Sequence, residues 1–511
     1  MPGLGLLGTR AHRLGVAILA VVVVGSGILG FAILRDPLMA AGNILASGSI
    51  QGIGIALAVA GLCWVAVIIG TYLISRPRKM TRQQRAIGAA VVGVMSLLVS
   101  APTAVGTAYS FQTANLSGGL FQSEDDSQSQ TRPSLEVGRR DPWANKERVN
   151  LLLLGGDSGA GRDIDLGVRT DTMMLASIDT RTGATLIIQL PRNLQGAPFP
   201  AGSPLAAQFP YGFDNGGDSM LSAVWNDVPN MLPDMFTDTD YPGADALKWA
   251  VEGVTALKVD YFVLVNIDGL VNLVDAMGGV RLNVNFPIAK GGSTDAYNCG
   301  EEGWIPEGPN QLLNGTDAMW YARSRCNSPN ADYSRMQRQS CLVNAVIDQA
   351  DPAGMAVRYE AIAKATGDMV STDIPQEHLS AMVELAKRVQ NARFVQRITF
   401  IDGENGYWSA YPDFDLMASQ ISAALVAMSA PPATEPATSE PTQPAGEAPP
   451  AEVPVTDPAA PAQPSASASQ NPVEDVTDAC AYRHEEPLEG VLIPDTVPIY
   501  TPPPTEPAKT P

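Results

Sequence analysis

Val149-Asn-Leu-Leu-Leu-Leu-Gly-Gly156 is the stretch that decides the fold. A short apolar run closed by paired glycines reads as a buried strand ending in a turn. Two further strand-like runs follow, Thr172–Ile178 and Ala184–Leu190, with Asp179-Thr-Arg-Thr-Gly183 as the turn between them. Ala244–Leu257 then reads as a helix and Tyr261–Asn266 as a strand. Gly269–Met277 is a short helix stopped by Gly278-Gly279, and Val280–Asn285 is strand-like again. Helical patterns dominate afterwards at Gly315–Ala322, Tyr333–Ala350, Met355–Thr366 and Gln376–Val389. Arg397–Ile401 returns to the sheet, and Phe414–Met428 is the last helix. Strands interleaved with helices on this scale predict an α/β domain over residues 147–428, a three-layer α/β/α arrangement around a central mixed sheet.

Upstream of that domain, three stretches carry no charge: Leu14–Leu34, Ile53–Ile74 and Ala86–Phe111. Each reaches the ~20 apolar residues that a helix needs to cross a bilayer, so residues 1–111 are expected to form a membrane anchor with three transmembrane helices. Arg10 and Arg13 precede the first, and Arg76, Arg78, Lys79, Arg82 and Arg85 crowd the loop between the second and third. The loop between the first two carries only Arg35 and Asp36. Basic loops stay in the cytoplasm, so everything after Phe111 is expected outside, on a multi-pass cell-membrane protein. Residues 112–146, rich in Ser, Gln, Asp and Gly, read as a flexible stalk. Residues 429–475 are a Pro/Ala-rich stretch that cannot bury a core and is expected to be a disordered linker. A tail, 476–511, holds Cys480.

Composition removes several functions. The net charge is −20, and phosphate-backbone binding needs a basic field, so nucleic acid is not an expected partner. The histidines are His12, His378 and His484, none between Val149 and Leu342. Histidine-based acid–base catalysis and most zinc sites are thereby taken from the core. Gly156-Asp157-Ser158-Gly159 has the look of a serine-hydrolase signature without a base to serve it. It also lacks the Lys-Ser/Thr ending of a P-loop. Cys326 and Cys341 have no histidine neighbour to activate a thiol.

Carboxylates and arginines remain. Asp157 sits where the first core strand ends, and Arg169-Thr-Asp171 opens the next. Arg192 follows Pro191 just past another strand, while Arg323 and Arg325 end a helix. Arg335, Arg338 and Gln339 share one face of the following helix. A guanidinium is a planar fork of donors suited to phosphate oxygens. Two aspartates at strand ends suit one Mg²⁺ (or Mn²⁺), a hard cation that takes one or two carboxylates together with substrate phosphates. Neutralising charge on a transferring phosphoryl group is most of what phosphoryl transfer asks of a protein. Taken singly, each residue has a plainer reading as a turn aspartate or a solvated helix face. The joint pattern is what points to a site.

These residues fall in three blocks that resemble the LytR–CpsA–Psr family. They are Val149–Asp157 with Arg169-Thr-Asp-Thr-Met-Met-Leu175, then Ile187-Ile-Gln-Leu-Pro-Arg192. The third runs from Leu313-Asn-Gly-Thr-Asp-Ala-Met-Trp-Tyr-Ala-Arg-Ser-Arg325 through Asp332-Tyr-Ser-Arg-Met-Gln-Arg-Gln339. The resemblance implies a phosphotransferase that moves a glycopolymer from polyprenyl pyrophosphate to peptidoglycan. By motif position, Asp157 and Asp171 would hold Mg²⁺. Arg169, Arg192, Arg323, Arg325, Arg335, Arg338 and Gln339 would contact the pyrophosphate, with the lipid chain in an apolar cavity between sheet and helices. Two departures stand out. The family often has Pro-Arg-Asp where this chain has Pro191-Arg192-Asn193, and no lysine occurs in Gly217–Trp225 where one is common.

An exported domain also changes the reading of the cysteines. Cys63 lies in an apolar stretch, and Cys299, Cys326, Cys341 and Cys480 form an even set beyond it. Free thiols are one reading. The other pairs Cys299 with Cys326 and Cys341 with Cys480, tying the tail to the domain. Alternatives to the transferase are a non-catalytic envelope regulator or transcription attenuator, a pyrophosphate-lipid hydrolase with water as acceptor, a glycoprotein ligase, and a polymer-binding module without turnover.

Overall fold

In the computed structural model, residues 12–35, 47–77, 80–120, 127–135, 141–156, 170–292, 299–326, 332–350, 370–429 and 473–485 are described, with a few isolated positions besides. The opening run is β1 (Arg148–Gly156), an interior strand of the largest sheet. It pairs antiparallel with β2 (Thr170–Asp179) and parallel with β4 (Tyr261–Asn266). β2 pairs antiparallel with β3 (Thr185–Leu190) through the expected turn. There Asp179 Oδ1 accepts from the Arg181 and Thr182 amides at 3.0 and 2.8 Å. Gly183 closes that turn at φ +80, with Arg388 O 2.2 Å from where a Cβ would sit, so a side chain fails there on both counts. β5 (Val280–Val284) lies in a small separate sheet with β8 (Gly308–Leu313), and β6 (Ile288–Gly292) forms another with β7 (Cys299–Ile305). β9 (Val370–Thr372), β10 (Val395–Thr399) and β11 (Val473–Asp475) complete a seven-stranded mixed sheet in the order β11-β10-β3-β2-β1-β4-β9.

Side chains alternate across a strand, and here the two faces meet different layers. Leu152, Leu154, Leu175, Leu186 and Ile188 bury against helices Pro242–Thr255 and Phe414–Ser429. Fully burying one such side chain stabilises the fold by about 1.5–3 kcal/mol. The opposite face looks toward helices Asp332–Gln349 and Leu379–Ala392. The α/β architecture with a mixed central sheet is the expected one. The helix expected at Met355–Thr366 lies outside the described residues.

Helices Ser47–Ser75 and Arg82–Leu120 run antiparallel against each other. Thr107 Oγ1 donates to Gly54 O at 3.3 Å, and a Cβ on Gly61 would lie 2.5 Å from Thr103 Oγ1. Small residues at these points let the two backbones approach, as in membrane helix pairs. Two helices among the described residues, Gln51–Ser75 and Arg82–Ala108, are long and apolar enough to cross a membrane. The first expected span forms helix His12–Arg35, but its described apolar part, His12–Gly27, falls short of that length. Three spans were expected; two meet the requirement.

The expected flexible stalk departs further from its reading. Helix Arg82–Leu120 runs on past its apolar part to Leu120, and the segment 127–132 packs on the domain. Ser129 Oγ and Thr131 Oγ1 donate to Asp245 Oδ1 at 2.8 and 2.5 Å, and the Gln130 amide donates to Oδ2 at 3.0 Å. Asp245 is fully buried, so its carboxylate requires donors, and this polar segment supplies them. At the other end, β11 belongs to the stretch expected as linker yet adds to the sheet edge, Ile398 opposite Val473. Cys341 pairs with Cys480 and Cys299 with Cys326, Cα atoms 5.6 and 5.9 Å apart.

His378 is buried beneath this layer, its Nδ1 3.1 Å from the Tyr261 hydroxyl. Burial, and then the Arg132 charge, lower its pKa to about 4. A histidine depressed on folding leaves stability intact above its unfolded value of about 6.5 and removes it as pH falls toward 4. Thermal melting from pH 7 to pH 4 is therefore expected to lose on the order of 3 kcal/mol to this group. His378→Phe should flatten that part of the profile; an unchanged slope would refute the assignment.

Candidate active site

Between the sheet and its second helical layer lies a cavity of about 870 Å³. Its floor follows from strand periodicity: Val149, Leu151 and Leu153 from β1, Met174, Ala176 and Ile178 from β2, and Val263 and Val265 from β4. These are the alternate positions to those filling the opposite core. Helix periodicity sets the roof. Leu342, Val343, Val346 and Ile347 come from one helix, and Met382, Leu385, Ala386 and Val389 from the other, each set at the spacing of one helical face. The walls are apolar, suited to a hydrocarbon.

One end of the cavity is polar. Gly155 pairs with Thr172 and Val265, and Met173 pairs with Leu190. The carboxyl ends of β1, β3 and β4 and the start of β2 therefore share one sheet edge. Ligands gather at such carboxyl edges in α/β folds. Asp171 opens β2 there and Arg192 follows β3. Arg192 Nη1 donates to Asp171 Oδ1 at 2.7 Å, with both side chains about a third exposed at 33% and 28%. Arg335, buried, sends Nη1 and Nη2 to the Asp171 carbonyl at 3.4 Å each. Gln189 in β3 fixes the helix that carries it, donating to Met336 O at 2.5 Å while accepting from Thr399 Oγ1 at 2.9 Å. Arg323, Arg325 and Gln339 line the same cavity. Gln339 Nε2 also donates to Ala322 O at 3.3 Å. The Cys299–Cys326 bond joins the β6–β7 hairpin to the residue after Arg325.

The structure thus brings Asp171, Arg192, Arg323, Arg325, Arg335 and Gln339 to one mouth. Arg338 is different. It points to the far side of its helix, donating to Tyr321 O at 2.6 Å and to Ser324 O, and lies over the Phe286 ring at 5.5 Å. It holds the backbone on either side of Arg323 rather than lining the cavity, a correction to its expected place at the diphosphate. Its three-residue spacing from Arg335 puts it near the same helix face, but the burial of Phe286 and Tyr321 draws it to the neighbouring layer. Burial pushes the Tyr321 phenol up to about 12, against the opposing charge of Arg338. Asp157 and Arg169 lie outside the described residues. Lys290, on β6 beside cavity-lining Gly291, pairs with Asp317 at 3.0 Å and was not anticipated. No motif marks it; only the hairpin geometry brings it close.

As for a metal, no group of three or more His, Cys, Asp or Glu gathers among the described residues. Asp171 offers a half-buried carboxylate at the mouth. A hard cation that draws most of its oxygens from substrate phosphate and water fits that donor chemistry.

Residues 110–425 match the LytR_cpsA_psr family, and the chain belongs to it. Among curated relatives, a polyisoprenyl-teichoic acid–peptidoglycan teichoic acid transferase TagU of Enterococcus faecalis is 26% identical over 45% of this chain and 63% of its own length. The TagU of Bacillus subtilis is 24% identical over 52% of this chain and 71% of its own. The chain thus spans under two thirds of the length of the first of these relatives. The crystal structure of B. subtilis TagV is similar at 19% identity and a TM-score of 0.38, covering 55% of this chain and 97% of that one.

Proposed function

We propose that this chain is a membrane-anchored phosphotransferase that moves a polyprenyl-pyrophosphate-linked glycopolymer onto peptidoglycan outside the cell. One observation carries the reading: an apolar cavity of about 870 Å³ opens at an edge where arginines converge on one aspartate. A prenyl chain fits the walls and a diphosphate fits the mouth. The names of the curated relatives point to the same reaction. In this reading the acceptor sugar hydroxyl attacks the sugar-side phosphorus, and one of Asp157 and Asp171 takes its proton. The bond from that phosphorus to the bridging oxygen breaks, and polyprenyl phosphate leaves. Arg192, Arg323, Arg325 and Arg335, with Arg169, offset the charge gathered on the diphosphate oxygens. Mg²⁺ held by Asp157 and Asp171 would add to that neutralisation. The anchor is read as three spans, His12–Arg35 included, because Arg10 and Arg13 favour a cytoplasmic N-terminus just as Arg76, Arg78, Lys79, Arg82 and Arg85 favour a cytoplasmic second loop.

The test incubates the full-length protein in detergent micelles with lipid-pyrophosphate saccharide and Mg²⁺, with and without peptidoglycan oligomer. Saccharide joined to the oligomer through a phosphodiester is the expected product, lost on chelation. Free saccharide phosphate formed equally without oligomer would make the protein a hydrolase instead. No turnover with lipid still bound would leave a binding module.

A further inference from the structure

We propose that Trp408 and Tyr411, with Tyr211 exposed on a loop packed on the same stretch of chain, form a platform on which pyranose rings of the acceptor glycan stack. This rests on the reading above, in which a sugar hydroxyl approaches the diphosphate from outside the cavity. β10 pairs parallel with β3, Thr399 opposite Gln189, so the loop after β10 leaves the sheet at the same edge as Arg192. Ser409 in that loop is bonded directly beside the site. Asn193 Nδ2 donates to Ser409 Oγ at 2.9 Å, and the Gln195 amide donates to Ser409 O at 3.0 Å. Asp402 Oδ2 accepts from Ser409 Oγ at 2.9 Å, and the Asp402 amide donates to the Tyr333 hydroxyl at 2.7 Å. Tyr333 stands two residues before Arg335 on the same helix. The loop therefore bridges the two elements that deliver Arg192 and Arg335.

Its aromatic residues divide by role. Tyr407 is buried against Phe400, ring centroids 5.4 Å apart, and anchors the loop. Trp408 and Tyr411 are 57% and 89% exposed, and the Tyr411 amide donates to Trp408 O at 3.2 Å in a tight turn. Tyr211, 99% exposed, precedes Gly212, which packs so closely on Gly196 that a Cβ would lie 2.2 Å from its carbonyl. Tryptophan and tyrosine are enriched at binding surfaces, where an apolar ring face meets a partner and the polar tip stays wet. Here three of them border the single stretch 192–197. A rigid ring with an apolar face suits the C–H face of a sugar, at low entropic cost in ordering the side chain.

Charge selects among occupants. Asp214, Asp218, Glu404 and Asp413 are exposed in the same segments. Carboxylates accept hydrogen bonds from sugar hydroxyls, whereas they repel an anionic bilayer surface or an anionic polymer. An uncharged sugar face is favoured. Asn193 spends its amide on holding this loop through Ser409.

The experiment titrates chitotetraose, an uncharged pyranose oligomer, into the full-length protein in nanodiscs by calorimetry. It compares wild type with Trp408→Ala/Tyr411→Ala, and runs transfer kinetics alongside. The double variant is expected to raise the chitotetraose Kd and the acceptor KM at least about tenfold, with donor KM within about twofold; tenfold corresponds to about 1.4 kcal/mol. Tyr411→Ser, which alters only a solvent-exposed side chain, should lose about threefold by itself, and Trp408→Phe should keep most of the affinity. Unchanged affinity in both the double and the single variant overturns the platform. A changed oligomeric state with unchanged affinity assigns the patch to a second copy and overturns it too. Should wild type bind chitotetraose and the variant not, with no transfer from either, the platform stands and the transferase reading falls.

Discussion

Arg192→Ala is expected to lower the rate of saccharide transfer by about 10²–10³, the loss seen when one preorganised donor is removed from a developing charge. Arg192 stands just past a sheet strand, held by a 2.7 Å ion pair to Asp171. The side chain therefore needs little reorganisation to meet a diphosphate. Because the apolar walls are left intact, the variant should still take up the prenyl chain. The defect then falls on kcat more than on donor KM, the mark of an interaction strongest in the transition state. Arg192→Lys keeps the charge but not the fork, and a partial recovery is expected. Transfer of radiolabelled saccharide to peptidoglycan oligomer measures it. A loss confined to KM would mean that Arg192 only binds substrate.

Lys248→Met is the second large effect, on stability instead of rate. Lys248 and Asp373 form a fully buried ion pair, and Lys248 Nζ also donates to Thr131 Oγ1 at 2.8 Å. Asp373 Oδ1 accepts from the Phe262 amide at 2.8 Å, and buried Asp245 lies in the same cluster. Removing the cation strands a carboxylate in a low-dielectric interior, a loss of about 3–5 kcal/mol. Burial already drives the Asp373 carboxyl upward, with Lys248 opposing that rise. Without Lys248 the carboxyl protonates more readily, so the defect should shrink as the pH is lowered. Lys248→Met/Asp373→Leu should recover much of the loss. Denaturant melts at pH 7 and pH 5 decide it: equal destabilisation at both, with no recovery in the double variant, would mean that the pair is not the cause.

Those two sites show what is readable in the chain and what is not. Arg192, Asp171, Arg323, Arg325 and Arg335 were legible because local signals place them, strand ends and a helix face, and the motif blocks repeat their order. The unbroken apolar run Leu151–Leu154 puts leucines on both faces of its strand, which permitted an apolar cavity on one of them without placing it. Lys248, Asp373, Asp245 and Thr131 carry no such signal. Thr131 and Asp373 lie more than a hundred residues from the helix that carries Asp245 and Lys248, and each alone looks like an ordinary surface residue until folding buries them together. The stretch 127–132 read as a stalk for the same reason, because its serines and threonines are polar whether they face water or a buried carboxylate. Arg338 was misplaced because a helix face read from spacing does not say which of two neighbouring layers a long side chain will choose. β11 escaped notice because three residues make a strand only when an edge awaits them.

That last strand has a consequence for how the molecule withstands damage. β11 zips onto β10, and a sulfur–sulfur link fastens Cys480 to the helix bearing Arg335. Ser429 and Val473, on either side of that stretch, are thereby held by a single body. A protease that cuts between those ends would shed nothing, since the piece downstream remains sewn in until a reductant arrives. A chain built this way can be nicked and keep the helix that bears Arg335 in register.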